Sequence, residues 1–251
     1  MMIYLKTKAE IKKMSEAGQI AAAALEEIAK NIQPGIKTSE LDKIAEKVIR
    51  DAGAESSFKK VTGYNHSTCL TPNDLVVHGV PGSHVLAEGD ILGVDLGAYY
   101  RGFHSDVAAT FPVGEVSSEK KKFLSVGQKA LREAIGEVRV GGRVGDISNR
   151  IQTIIEGSGY SVVRELVGHG VGRNLHEDPL IPGAGNRGNG EELKEGMVLA
   201  VEVIYNFGKP GVKLLADGWS IATSDASISG LFEHTVALVE KGPLVLTQKP
   251  F

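Results

Sequence analysis

The 251-residue chain has one cysteine and one tryptophan. A lone Cys69 excludes internal disulfides and thiolate metal clusters, and makes the reducing cytoplasm the expected location. No segment approaches the roughly 18 apolar residues of a membrane span. The opening MMIYLKTKAEIKKM has neither an apolar run of about 7–15 residues nor a cleavage site, so no secretory signal is expected. No basic tract interrupts a formal net charge of −3, so neither DNA nor a membrane surface is an expected partner. No Pro/Gly/Ser-rich linker divides the chain, and a single domain over 1–251 is expected.

What the chain does have is repetition. Residues 24–53, ALEEIAKNIQPGIKTSELDKIAEKVIRDAG, align without gaps on 130–159, ALREAIGEVRVGGRVGDISNRIQTIIEGSG, at an offset of 106. Gly35 falls on Gly141 and Gly53 on Gly159. Each copy reads as a helix end, a glycine turn and an amphipathic helix stopped by glycine, with Ser39, Glu40 and Asp146 suited to first turns. Strands repeat as well. GDILGVDLG (89–97) aligns with GMVLAVEVI (196–204), placing Asp95 on Glu202, and DVAATF from Asp106 resembles EHTVAL from Glu233. The pattern predicts helices near 8–30, 38–52, 117–138 and 144–158. It predicts strands near 68–72, 89–97, 103–112, 196–206, 219–223 and 231–240. The fold class is α+β: two pseudo-symmetric halves, with helices covering one face of a mainly antiparallel sheet and the other face left for a site.

Acids on apolar strands need a reason. If the hairpin around AYYRG is centred between Tyr100 and Arg101, Asp95 stands opposite Asp106 on one face, with Cβ atoms about 4.5–5.5 Å apart. Two bare carboxylates there repel, so a shared proton or a cation is needed. Glu202 and Glu233 add two more, and four carboxylates match the charge of two divalent ions. Oxygen ligands with imidazole and no thiolate suit Mn, Fe(II), Co or Zn.

The stretch GHGVGRNLHEDP places His169 and His176 seven residues apart. Gly168, Gly170 and Gly172 argue against a helix there. One histidine can complete a metal shell and the other can touch substrate, with the glycines letting a loop press close to the ions. As a phosphate loop, GHGVGR has Arg173 where the third glycine belongs, and the zincin pattern H-E-x-x-H is absent. His66, His84, His104 and His234 read as surface or supporting residues; His104 shares a strand face with Asp106. Cys69 reads as a small buried hydrophobe, and Trp219 as either core or pocket wall.

Taken together, VHGVPG with His78, VDLGAYYRGFHSDVAATF with Asp95 and Asp106, GHGVGRNLHEDP, AVEVI with Glu202 and FEHTVAL with Glu233 resemble methionine aminopeptidase over nearly the whole chain. The short span from His176 to Glu202 resembles the type I class. The resemblance implies the pita-bread fold and a pair of divalent ions (Co, Mn, Fe(II), Zn or Ni). It implies that Asp95 chelates one metal, that Asp106 and Glu233 bridge both, and that His169 and Glu202 hold the other. Glu202 would also relay a proton from the bridging water, His176 would bind the scissile carbonyl oxygen, and His78 would contact the scissile nitrogen. Tyr64, Cys69, Leu175 and Trp219 would line the methionine pocket. The implied substrate is the N-terminal methionine of nascent polypeptides with a small second residue. A monomer in transient contact with the ribosome is implied as well. The chain departs from the family at Val203, where proline is usual, and at Gly97, where threonine is frequent; aromatics are usual at Leu175 and Val61. The last two would widen or soften the pocket. Two other readings stand beside this one: a proline-directed aminopeptidase P or prolidase, and a non-catalytic binding module on the same fold.

Overall fold

The computed structural model describes residues 3–248. Four helices account for the predicted helical segments: α1 (Lys8–Asn31), α2 (Thr38–Asp51), α3 (Ser118–Gly136) and α4 (Val144–Gly157). Thr7 caps α1 in a capping box with Glu10, and Ser117 caps α3. At the repeat-related starts of α2 and α4, Glu40 accepts from the Lys37 N–H at 2.9 Å and Asp146 from the Arg143 N–H at 3.0 Å. Gly35 and Gly141 have φ of 91° and 80°, and Gly53 and Gly159 have 73° and 87°. The turns before and after each second helix thus use the same left-handed glycines in both halves.

Among the described residues, fifteen strands are numbered in chain order. In the first half they are β1 (Glu55–Ser56), β2 (Thr68–Pro72), β3 (Leu75–Val77), β4 (Ile91–Leu96), β5 (Ala98–Tyr100), β6 (Phe103–His104) and β7 (Val107–Pro112). In the second they are β8 (Ser161–Val162), β9 (Val167–Gly170), β10 (Glu177–Pro182), β11 (Val198–Asn206), β12 (Val212–Leu214), β13 (Ile221–Thr223), β14 (Ser229–Val239) and β15 (Gly242–Val245). The main sheet has nine strands and runs β10-β9-β11-β14-β7-β4-β2, with β15 on β14 and β8 on β11. Its pairings are antiparallel, as expected.

Period-two alternation gives this sheet two different faces. Leu92, Val94, Leu96, Val107, Ala109, Leu199, Val201, Val203, Phe232 and Val236 enter one large core with Leu25, Ile28, Leu41, Phe123, Leu131, Ile147 and Ile151 of the helices. The intervening residues face away from the helices. They include Cys69, Asp95, Ala108, Glu233 and Glu202, which form one row across β2, β4, β7, β14 and β11 through the pairs Cys69↔Asp95, Asp95↔Ala108, Ala108↔Glu233 and Glu233↔Glu202.

The expected hairpin register is corrected here. Asp95 stands opposite Ala108, two residues beyond Asp106. The turn is centred on Arg101 and Gly102, with φ of 51° and 88°, a left-handed pair flanked by Tyr100↔Phe103. Such a two-residue turn matches strand twist when both central residues have positive φ, so it settles where glycine is available. Asp106 keeps its face because a two-residue slip preserves parity. The expected continuous strand 103–112 is also divided: β5 and β6 leave the main sheet and pair with each other, with β1 on β5. Gly97 marks the departure, where a Cβ would lie 2.3 Å from the Ser105 carbonyl oxygen. Threonine cannot stand there in this chain, which accounts for that departure from the family pattern.

Where the two halves meet, β7 and β14 share only the pairs Glu233↔Ala108 and His234↔Val107. Threonine hydroxyls extend the seam on both sides. Thr235 Oγ1 accepts from the Asp106 N–H at 2.9 Å and donates to its carbonyl at 2.7 Å. Thr110 Oγ1 accepts from the Leu231 N–H and donates to its carbonyl, both at 2.9 Å.

Candidate active site

Above the seam lies a cavity of about 350 Å³. Every residue predicted for the site lines it: Asp95, Asp106, His169, Glu202 and Glu233 on the sheet side, His78 and His176 at the flanks, and Tyr64, Cys69, Leu175 and Trp219 at one end. Asp106, His169 and Glu233 are buried and bring one ligand atom each within 4.8 Å of one another. His169 Nε2 is 3.8 Å from Asp106 Oδ2, and its Nδ1 lies 2.8 Å from the Gly170 carbonyl oxygen. That carbonyl fixes the proton on Nδ1 and leaves Nε2 a free lone pair facing the acids.

Electrostatics isolate this cluster. Burial raises Asp95 to about 7, partly offset by a hydrogen bond with Asp106. Burial raises Asp106, Glu202 and Glu233 well above the ordinary carboxylate range, and the neighbouring acids push all three further up. Among the described residues no lysine or arginine pairs with any of the four. Asp95 Oδ1 and Asp106 Oδ1 are buried without a hydrogen-bond partner among the described residues. Buried acceptors left this way are costly unless something else binds them. Hard oxygen donors with one imidazole are what a divalent cation takes up, so the residues present fit metal. Burial lowers His169 to about 4, with the His176 charge adding to the effect, so its ring is neutral and able to ligate at neutral pH.

His169 sits on β9, not on a loop, which corrects the expected role of its glycines. None of Gly168, Gly170 and Gly172 needs positive φ. Gly168 and Gly170 are small because neighbouring strand backbones press on them. A Cβ at Gly168 would be 2.5 Å from the Ala200 carbonyl oxygen, and one at Gly170 would be 2.2 Å from that of Asp178. His176 follows on the connection to β10, and its ring meets that of His169 edge-on at 4.4 Å. Burial lowers both His176 and His78. His78 has φ of 57°, an uncommon backbone for a non-glycine residue and the sort of strain that gathers at functional sites.

At the apolar end Phe58, Tyr64, Cys69 and Leu175 form a cluster against which Val61 and Trp219 pack. Tyr64 meets Trp219 edge-on at 5.1 Å, donates to the Thr68 carbonyl at 2.8 Å and accepts from Cys69 Sγ at 3.3 Å. Sequence reasoning passed over Phe58, Val77 and Ile204, which also line the cavity. Ile204 is two residues from Glu202 on the same strand face, a signal that could have found it. Val203 points into the core and away from the acids, so its place in the pattern does not touch the site. His104 is buried with Nδ1 2.9 Å from Ser57 Oγ, and His84 is exposed.

This arrangement can be compared with known proteins. The profile of metallopeptidase family M24 matches residues 12–240. The chain belongs to metallopeptidase family M24. Among its M24 relatives, methionine aminopeptidase 1 of Bacillus subtilis is 48% identical over 247 residues, covering 98% of this chain and 100% of that protein. The crystal structure of methionine aminopeptidase from Thermotoga maritima superposes with a TM-score of 0.97 at 41% identity, over 99% of this chain and 100% of that one. The prolidase from Pyrococcus furiosus superposes with a TM-score of 0.81 at 25% identity, over 98% of this chain but 66% of that one. This M24 chain therefore has the pita-bread fold and is a metallo-exopeptidase, and the prolidase reading is the less favoured one.

Proposed function

We propose that the chain removes the N-terminal methionine from polypeptides whose second residue is small, as a type I methionine aminopeptidase with two divalent ions. The observation that carries this reading is the row of buried acids beside a neutral imidazole, opening onto an apolar pocket that holds a thiol and three aromatic rings. In this proposal Asp95, Asp106, His169, Glu202 and Glu233 would hold the ions. Bound there, the ions would supply Lewis acidity, acidifying a water and polarising a peptide carbonyl.

The chain's own groups do the rest. Glu202 takes a proton from the attacking water and returns it to the leaving amine. The peptide C–N bond breaks as the water oxygen joins the methionine carbonyl carbon. His176 is neutral near pH 7 and donates an N–H to the carbonyl oxygen as charge develops there. His78 contacts the scissile nitrogen, and its strained backbone fixes the approach. Tyr64, Cys69, Leu175 and Trp219 hold the methionine side chain, where a polarisable lining suits a thioether. Crowding by His78 and its loop limits the second residue to small side chains. The proposal includes one catalytic unit over 1–251, a monomer, a cytoplasmic location and transient contact with the ribosome, without DNA or membrane partners. No helix among the described residues is long and apolar enough to cross a membrane.

The test is a panel of Xaa-Ala-Ser and Xaa-Pro-Ala peptides with Mn, Co or anaerobic Fe(II), with products identified by mass. Release of methionine before alanine supports the proposal. Release of many residues, and only before proline, supports a proline-directed enzyme. No cleavage with any metal supports a binding module.

A further inference from the structure

The connection that carries His176 is clasped from outside the cavity. Lys6 Nζ donates to Glu177 Oε2 at 2.6 Å, and the two side chains are only 5% and 4% exposed. Glu177 directly follows His176. Its other oxygen, Oε1, accepts from the Asn174 N–H at 3.1 Å, so one carboxylate fastens the bend to the N-terminal segment. Gly172 makes the space: a Cβ there would lie 2.6 Å from both Glu177 Oε1 and Lys6 Cε. Lys6 is itself fixed, its N–H donating to the Gly196 carbonyl at 2.7 Å. An exposed pair, Arg173 to Glu10 at 2.8 Å, ties the same bend to the first turn of α1. Neither Lys6 nor Glu177 lines the cavity.

A buried ion pair adds little to stability, because removing both charges from water offsets most of their attraction. What it does supply is a fixed geometry. The geometry fixed here is that of the residue beside a ring that must meet a carbonyl oxygen at hydrogen-bond distance, where a displacement of about 1 Å can cost roughly 100-fold in rate. We propose that Lys6 and Glu177 are positioning residues that aim the imidazole of His176 at the substrate carbonyl. This rests on the role given to His176 above.

The experiment uses the full, metal-loaded chain with Lys6→Met, Glu177→Gln, His176→Ala and the double variant Lys6→Met/His176→Ala. Lys6→Met should lower kcat on a Met-Ala-Ser peptide by roughly 10–100-fold, with KM and bound metal nearly unchanged. In the His176→Ala background the same change should cost nothing further, because its target is gone. Hydrogen exchange should quicken over residues 172–177 and stay constant over 198–206. An equal loss of kcat in both backgrounds, loss of metal in step with kcat, or unaltered exchange over 172–177 would overturn the proposal. If Lys6→Met does not fold, Glu177→Gln, which keeps side-chain shape and the contact with Asn174, carries the same comparisons. A wild-type chain that cleaves no peptide refutes the functional reading, and hydrogen exchange still decides whether Lys6 holds the bend.

Discussion

Glu202 and Glu233 are direct cross-strand partners on β11 and β14. Like charges in such pairs destabilise a sheet, and here two further acids share the face. The native state therefore needs either bound protons or bound cations, and each alternative has a measurable consequence.

The first consequence is linkage to metal. A ligand that binds only the native state adds about 2.7 kcal/mol at 100 times its Kd. For a chain of this size that is a rise in Tm of roughly 5–10 °C. Calorimetry with Mn or Co against a chelator should show this separation. Superimposable curves would contradict an assembled cation site.

The second is a pH effect in the metal-free protein. Burial raises Asp95 to about 7, so between the ordinary carboxylate range and pH 7 the folded chain keeps a proton that the unfolded chain has released. Stability contributed by this group must then fall as pH rises through that window. Asp95→Asn removes the effect. Under chelator the variant should melt above wild type at pH 8, with the gap closing near pH 4. A gap that is constant with pH would rule out the ionised Asp95 as its source.

The two histidines should separate by assay. His169→Ala is expected to weaken metal binding 10-fold or more, by order of magnitude for a lost ligand or its partner. His176→Ala is expected to keep metal and lose roughly 10²–10³ in kcat. Metal analysis alongside kinetics decides it: equal loss of metal in both variants would remove His176 from its assigned role.

Pocket selectivity should respond to Leu175. If the apolar end binds the first side chain as proposed, leucine leaves it softer than an aromatic would, so wild type should accept some leucine and norleucine at the first position. Leu175→Phe should raise the preference for methionine over leucine by roughly 10-fold, within the range that one or two methylenes can command. The measurement is kcat/KM for Met-Ala-Ser and Leu-Ala-Ser; an unchanged ratio would show that Leu175 does not shape the pocket.

Thr235→Val tests the seam. The substitution keeps volume and strips partners from the Asp106 N–H and carbonyl. A buried backbone group left unsatisfied costs about 1–3 kcal/mol. Both Tm and metal affinity should drop, since the affected residue carries an acid of the cluster. Retained metal affinity would mean that Asp106 is held in place by other contacts.

The sequence disclosed the helices because their boundaries are local: a cap, an acid at the third position and a left-handed glycine, each repeated at the same spacing. It disclosed the acids because a carboxylate on an apolar strand is chemically out of place. Register was less legible. Its two-residue slip depended on where Arg101 and Gly102 form their turn, and that choice was not visible in the flanking pattern. The glycines beside His169 were legible as necessary but not as to why, since what crowds them is the backbone of Ala200 and Asp178. Phe58 and Lys6 gave no local signal at all. Their roles come from contacts with residues far along the chain, and spacing does not record those.

The strand order also sets a timetable. β14 pairs with both β7 and β11, and Thr110 lies 121 residues before its partner Leu231. During N-to-C synthesis β7 is made early and waits, one edge open, until nearly all of the second half has been added. Closing contacts over such a separation is slow, because the chain between must be ordered before they form. Asp95 and Asp106 are therefore present long before Glu233 reaches them, and the cluster is completed only when its central strand arrives. The four-acid cluster therefore cannot form until synthesis has passed β14.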